Sequence, residues 1–304
     1  MNDSLVNSSL PLNHTTSSSG RPLWYQYDYC KDVAGGFFFY YAVKLFNLVV
    51  GFPANALVMW QVMRKKTDSS TSDIFIFNLA IFDAYFCLMT PIELVNRLIL
   101  NDSGIGYFQR FAYGIKDVSP LFLTCICLDR YVAVVHPIVF TGIRDNKIRI
   151  AFSLLVWALA LAYSLTKSIL GVGSTTYAFT GLILSAFFIM VFCNLSIIWV
   201  LRRSVIGKEE MHPMKKKAFR MVIIVLAIIV FNYLPPVALF PFRPYYTLVS
   251  FNCQIAITVF SIMDLSCSIE PVLYMSKMET PTCFANAPCS CCKSPMKQSY
   301  NVNT

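Results

Sequence analysis

Asp129 and Arg130 sit side by side at the end of an apolar run, with Tyr131 next and His136-Pro137 and a basic stretch a little further on. A guanidinium is always charged and presents five donors, so in a low-dielectric setting it needs a carboxylate or carbonyl partner. Asp129 is the nearest in sequence. Asp83, Glu270 and Asn55 also fall in strongly apolar stretches, where a carboxylate must pair, bind a cation or be protonated. Lys116 raises the same demand, as do Lys44, Glu93, Arg97, Arg110, Asp117, Lys167, Arg243 and Asp264. Ionisable residues in such surroundings cost free energy and mark functional positions by default. The plain alternative for Asp129 and Arg130 is an anchor at a helix end. No Ser-His-Asp set, His-Glu-x-x-His or glycine-rich phosphate loop is present, and there are only three histidines. The chemistry expected is therefore binding and switching, without catalysis.

The elements that must hold these residues are set by composition. Of 304 residues, 56% are hydrophobic and 13% charged, too apolar for soluble domains of this length. A window of about 19 residues finds seven spans, near 37–63, 74–100, 107–135, 148–170, 177–201, 218–241 and 248–275. The fold expected is an all-α membrane protein, one seven-transmembrane helix bundle. Of 25 Lys and Arg, 17 fall on one side of these spans. That bias puts the C-terminus in the cytoplasm and the N-terminus outside. The net charge of +9 is then contact with anionic lipid, and no nucleic-acid partner is expected, because the charges spread over four segments.

This reading divides the chain into an extracellular glycosylated tail (1–36), the seven-helix domain (37–275) and a cytoplasmic tail (276–304). The first 22 residues have no apolar h-region, so the first span is expected to direct its own insertion. Asn2, Asn7, Asn13 and Asn101 each open an Asn-x-Ser/Thr acceptor on the expected outer side. Cys283, Cys289, Cys291 and Cys292 cluster beside Lys277, Lys293 and Lys297, a pattern that fits palmitoylation at an anionic membrane face; unmodified thiols are the alternative.

Residues dispersed through the spans resemble the rhodopsin-like (class A) G-protein-coupled receptors over about 37–282. They are Gly51 and Asn55 in the first span, Asn78-Leu-Ala-Ile-Phe-Asp83 in the second and Asp129-Arg130-Tyr131 closing the third. Trp157 follows in the fourth, Phe231-Asn-Tyr-Leu-Pro235 in the sixth and Glu270-Pro271-Val-Leu-Tyr274 in the seventh. The resemblance implies that Arg130 and Tyr274 rearrange on activation and that Arg130 then meets a heterotrimeric G protein. It also implies a sodium pocket at Asp83, Asn55 and Glu270, with a proton-sharing carboxylate pair as the alternative. Cys30 and Cys253 are expected to bridge the N-terminal segment to the seventh helix, as in the nucleotide and chemokine members. No other cofactor is expected.

The chain departs from the family pattern in places. Ile105 stands near the usual third-helix cysteine, the fourth-to-fifth loop shrinks to about Gly171–Thr176 without a cysteine, Tyr233 replaces a tryptophan, and Glu270 replaces Asn or Asp. Lys116 lies 14 residues before Arg130, about 21 Å along a helix and about 40° from the same face, so it looks inward. Either Asp264 or Glu93 pairs with it, or it captures an anionic ligand with Arg110 or Arg243. The ligand-site candidates are Glu93, Arg97, Arg110, Tyr113, Lys116, Tyr233, Arg243 and Asp264. The expected function is a multi-pass plasma-membrane receptor for an extracellular ligand, possible classes being anionic small molecules, nucleotides, lipids and peptides. A non-signalling seven-helix binding or scavenging receptor is the alternative.

Overall fold

Backbone groups in an apolar solvent must bond within their own segment, which leaves helices as the form these runs can take. The computed structural model describes residues 30, 35–64, 72–100, 102–142, 146–205 and 223–275. Among them the spans form α1 (Gly35–Arg64), α2 (Asp73–Val95), α3 (Ser103–Val135), α4 (Asn146–Gly171), α5 (Gly173–Val200), α6 (Ile223–Leu239) and α7 (Phe251–Pro271). All but α6 are long and apolar enough to cross a membrane, and α6 is a shorter apolar helix. The all-α seven-helix reading is borne out. Asn2, Asn7, Asn13, Asn101, Cys283, Cys289, Cys291 and Cys292 lie outside the described residues.

Polarity runs opposite to that of a water-soluble protein. Phe38, Val49, Leu154, Ile169, Phe188, Phe192 and Trp199 face outward, an apolar coat that lipid covers. Inside, Phe82, Phe122, Leu123, Ile126, Met190, Tyr233 and Tyr274 form one core. Lys44, Asp83, Lys116 and Glu270 are buried within the same bundle.

Proline shapes the helices where function would need it. Each interior proline leaves the carbonyl four residues earlier without its helical donor, and polar side chains fill two of these gaps. Pro271 frees the carbonyl of Cys267, which accepts from Asn55 Nδ2 at 2.8 Å across the α1–α7 seam. Two turns earlier on α1, Asn47 Nδ2 donates to the Asp264 carbonyl at 2.8 Å, while Ser268 Oγ donates to Asn47 Oδ1 at 2.6 Å. Residues spaced by four or eight share a helix face, so Asn47 and Asn55 tie one face of α1 to the bent part of α7.

Two glycines are required by geometry. A Cβ on Gly114 of α3 would meet the Ser164 Cα of α4 at 2.5 Å, so these backbones touch directly. Gly114→Ala is expected to cost about 1–3 kcal/mol by overpacking; thermal unfolding equal to wild type would contradict the close approach. Gly171 adopts φ 82°, ψ 173° between α4 and α5, a left-handed conformation that glycine adopts without strain. The helix resumes at Gly173, so the expected loop to Thr176 is only a two-residue joint.

Candidate functional site

The Lys116 position begins with a helix bend. Pro120 cannot donate to the Lys116 carbonyl, and Ser119 supplies both its N–H, at 3.1 Å, and its Oγ, at 2.8 Å. The bend sets the fully buried Lys116 Nζ 3.0 Å from Asp83 Oδ1, 2.8 Å from Ser266 Oγ and 3.4 Å from the Tyr233 hydroxyl. Tyr233 donates to Glu270 Oε1 at 3.1 Å, and its hydroxyl lies 3.2 Å from both Ser119 Oγ and Ser266 Oγ. Four helices, α2, α3, α6 and α7, meet at this pocket.

Asp264 and Glu93, the expected partners of Lys116, belong to Lys44 instead. Its Nζ lies 3.4 Å from Glu93 Oε2 and 3.2 Å from Asp264 Oδ2, over the ring of Phe86 at 3.9 Å and that of Tyr113 at 4.7 Å. Glu93 Oε1 accepts from the Tyr113 hydroxyl at 2.5 Å and from the Tyr40 hydroxyl. A desolvated ammonium over aromatic faces is held by their quadrupoles as well as by its counter-ions. The two clusters meet on α7, where Asp264 faces Lys44 and Ser266 faces Lys116.

At the other end of α3, Asp129 takes an unexpected partner. Its Oδ1 accepts from Arg149 of α4, Nη2 at 2.8 Å and Nε at 2.9 Å, and its Oδ2 accepts from Ser72 Oγ at 2.6 Å. Both guanidinium donors converge on one carboxylate oxygen in charge-assisted bonds, so Asp129 is not reserved for its neighbour Arg130. The Tyr131 hydroxyl lies 3.3 Å from His136 Nε2, with its ring against Phe192 of α5. Tyr274 is buried in the core.

The remaining candidates separate. Arg110 donates through Nε to the Ser168 carbonyl at 3.1 Å and lies over the Tyr107 ring, at the same end as Cys30. Asp117 pairs with Lys167 and accepts from the Tyr163 hydroxyl at 2.9 Å. The side chains of Arg97 and Arg243 are outside the described set. Cys30 and Cys253 form the expected disulfide, Cα–Cα 5.5 Å.

Sequence reasoning placed Asp83, Glu270 and Asn55 together, set Lys116 apart with Asp264 or Glu93, named Lys44 only as a charge to be explained, and left out Arg149, Ser266 and Tyr40. The place of Lys44 in the site could have been found, because it lies 11 residues before Asn55, three turns within about 20° of the same inward face. Arg149 had no such signal, since in sequence it reads as one more basic residue of a connection.

Comparison with known proteins adds the following. The family model described as 7 transmembrane receptor (rhodopsin family) matches residues 54–177. Proteinase-activated receptor 3 of Homo sapiens is 35% identical over 134 residues, 42% of this chain and 36% of that protein. Purinoceptor 1 of Gallus gallus is 30% identical over 234 residues, 68% of this chain and 65% of that protein. The Rattus norvegicus purinoceptor 1 is 28% identical over 261 residues, 75% of this chain and 67% of that protein. The chain spans just over a third of the first of these and just under two thirds of the second.

Proposed function

Because the chain belongs to the rhodopsin family of seven-transmembrane receptors, we propose that it is a plasma-membrane receptor that binds an extracellular ligand and activates heterotrimeric G proteins. In this reading the Cys30 end faces outward and the Arg130 end inward, as the distribution of Lys and Arg favours. The observation that carries it is the buried polar column. It runs from Tyr40, Glu93, Lys44 and Asp264 through Ser266, Lys116 and Asp83 to Glu270, within the bundle whose third helix ends in Asp129-Arg130-Tyr131. Buried networks of this kind have few alternative arrangements. A ligand that alters the upper members can therefore bias a two-state bundle, with Arg130 at the coupling end.

Lys116 is sealed by Asp83 and Ser266, so in this reading an anionic ligand group is received by Arg110, at the same end as Cys30, with Tyr113 and Glu93 further in. Arg97 and Arg243 stay candidates from the sequence alone. One relative is a purinoceptor by name, which makes purine nucleotides the first compounds to try, followed by lipids, carboxylates and peptides.

A panel of G-protein sensors tests the reading. A ligand from these sets is expected to activate wild type, and Arg130→Ala is expected to cut stimulated coupling at unchanged surface expression by at least about tenfold, about 1.4 kcal/mol. Full responses in Arg130→Ala would remove the switch. Silence of wild type across all G-protein families, with ligand binding retained, would favour the non-signalling binding receptor.

A further inference from the structure

The family resemblance implies a sodium ion at Asp83, and the residues around it do not fit one. A hard cation gathers about six oxygen ligands. Here Asp83 Oδ1 already accepts from Lys116 Nζ, Ser266 Oγ lies 2.8 Å from the same ammonium, and the hydroxyls of Ser119 and Tyr233 are bonded to one another and to their neighbours. Asn55 turns its amide nitrogen to the carbonyls of Gly51 and Cys267. Among the described acidic oxygens of this pocket, Asp83 Oδ2 and Glu270 Oε2 have no hydrogen-bond donor. Two oxygens fall far short of a coordination shell, and a sodium on Asp83 Oδ2 would share its carboxylate with an ammonium 3.0 Å from Oδ1, where like charges in a dry core repel.

We propose that Lys116 is the built-in counter-cation of this pocket, a covalently tethered replacement for a diffusible sodium ion, so that the bundle needs no sodium. The titratable groups facing the pocket come from three helices, and the ammonium bonds one of the two carboxylates. Asp83 comes from α2, Glu270 from α7 and Lys116 from α3, while Asp264, two residues from Ser266, is held by Lys44. A tethered charge loses no translational freedom on binding and cannot be diluted away. The inference concerns stability alone and does not depend on whether the receptor signals.

The test is thermal unfolding of the purified full-length chain in about 150 mM sodium, potassium or N-methylglucamine chloride. Wild type is expected to unfold at the same temperature in all three. Lys116→Met is expected to unfold several degrees lower in N-methylglucamine and to regain part of the loss in sodium. Adding Asp83→Asn to Lys116→Met removes the carboxylate that the ammonium bonds and leaves Glu270 with the Tyr233 hydroxyl, and that double variant is expected to return toward wild type and to ignore sodium. Should Lys116→Met fail to fold, wild type and the double variant still decide. A sodium-specific rise in wild type, or a double variant no more stable than Lys116→Met or equally unable to fold, overturns the proposal.

Discussion

Lys44→Met is expected to lower stability by about 3–5 kcal/mol, the cost of removing one partner of a buried ion pair, and its effect should be among the largest of any single substitution in this chain. Lys44 is 2% exposed and is the ammonium shared by Glu93 and Asp264. Methionine fills much of the same volume, so the loss is electrostatic. Two desolvated carboxylates are left facing one another, and the Phe86 and Tyr113 rings lose the cation over them. Each kcal/mol moves the midpoint of a domain of this size by about 2–4 °C, so unfolding in detergent reads the effect directly. Adding Glu93→Gln and Asp264→Asn should recover most of the loss, because both replacements are neutral and nearly isosteric. A Lys44→Met protein that unfolds with wild type would mean that the ammonium does not balance these carboxylates.

Loss of the disulfide is expected to rank next, at about 2–5 kcal/mol. Cys30 and Cys253 are 223 residues apart, so the bridge closes nearly the whole bundle into a loop, and the constraint on the unfolded chain grows with loop length. Cys30→Ser, Cys253→Ser and the double variant should all be destabilised to the same extent, because either change removes the same bond. Unfolding midpoints with non-reducing gel mobility check this. Additive losses in the double variant would show that the two thiols act separately. Cys253 is 1% exposed, so reductant should act on the folded protein slowly and on the unfolded protein at once.

Much of this was legible in the residues themselves, and what was not has a common cause. Helix existence follows from apolar run length, and the facing of Lys116, Asp83, Asn55 and Glu270 follows from helical spacing, so both could be read along one line of text. Partner choice could not. Lys116 faces inward as expected, but which carboxylate it meets depends on the relative height of α2, α3 and α7, and the bend at Ser119 and Pro120 sets that height. The same limit hid the second partner of Asp129, which accepts from Arg149, a residue 20 positions away on another helix. The joint at Gly171 was overestimated because the mostly small and polar residues from Gly171 to Thr176 resemble a loop, whereas Gly173 onward already winds into α5.

The sharing of a single ammonium or carboxylate group among several helices also bears on descent. Lys44 binds carboxylates from α2 and α7, and Asp129 binds groups from α4 and the start of α2. A lone replacement at any member strands the others in hydrocarbon, so one-step mutational routes away from each set pass through poorly folded ancestors. These positions are therefore expected to be inherited as linked groups. Among relatives they are expected to change together, while the lipid-facing positions between them are expected to vary among apolar side chains.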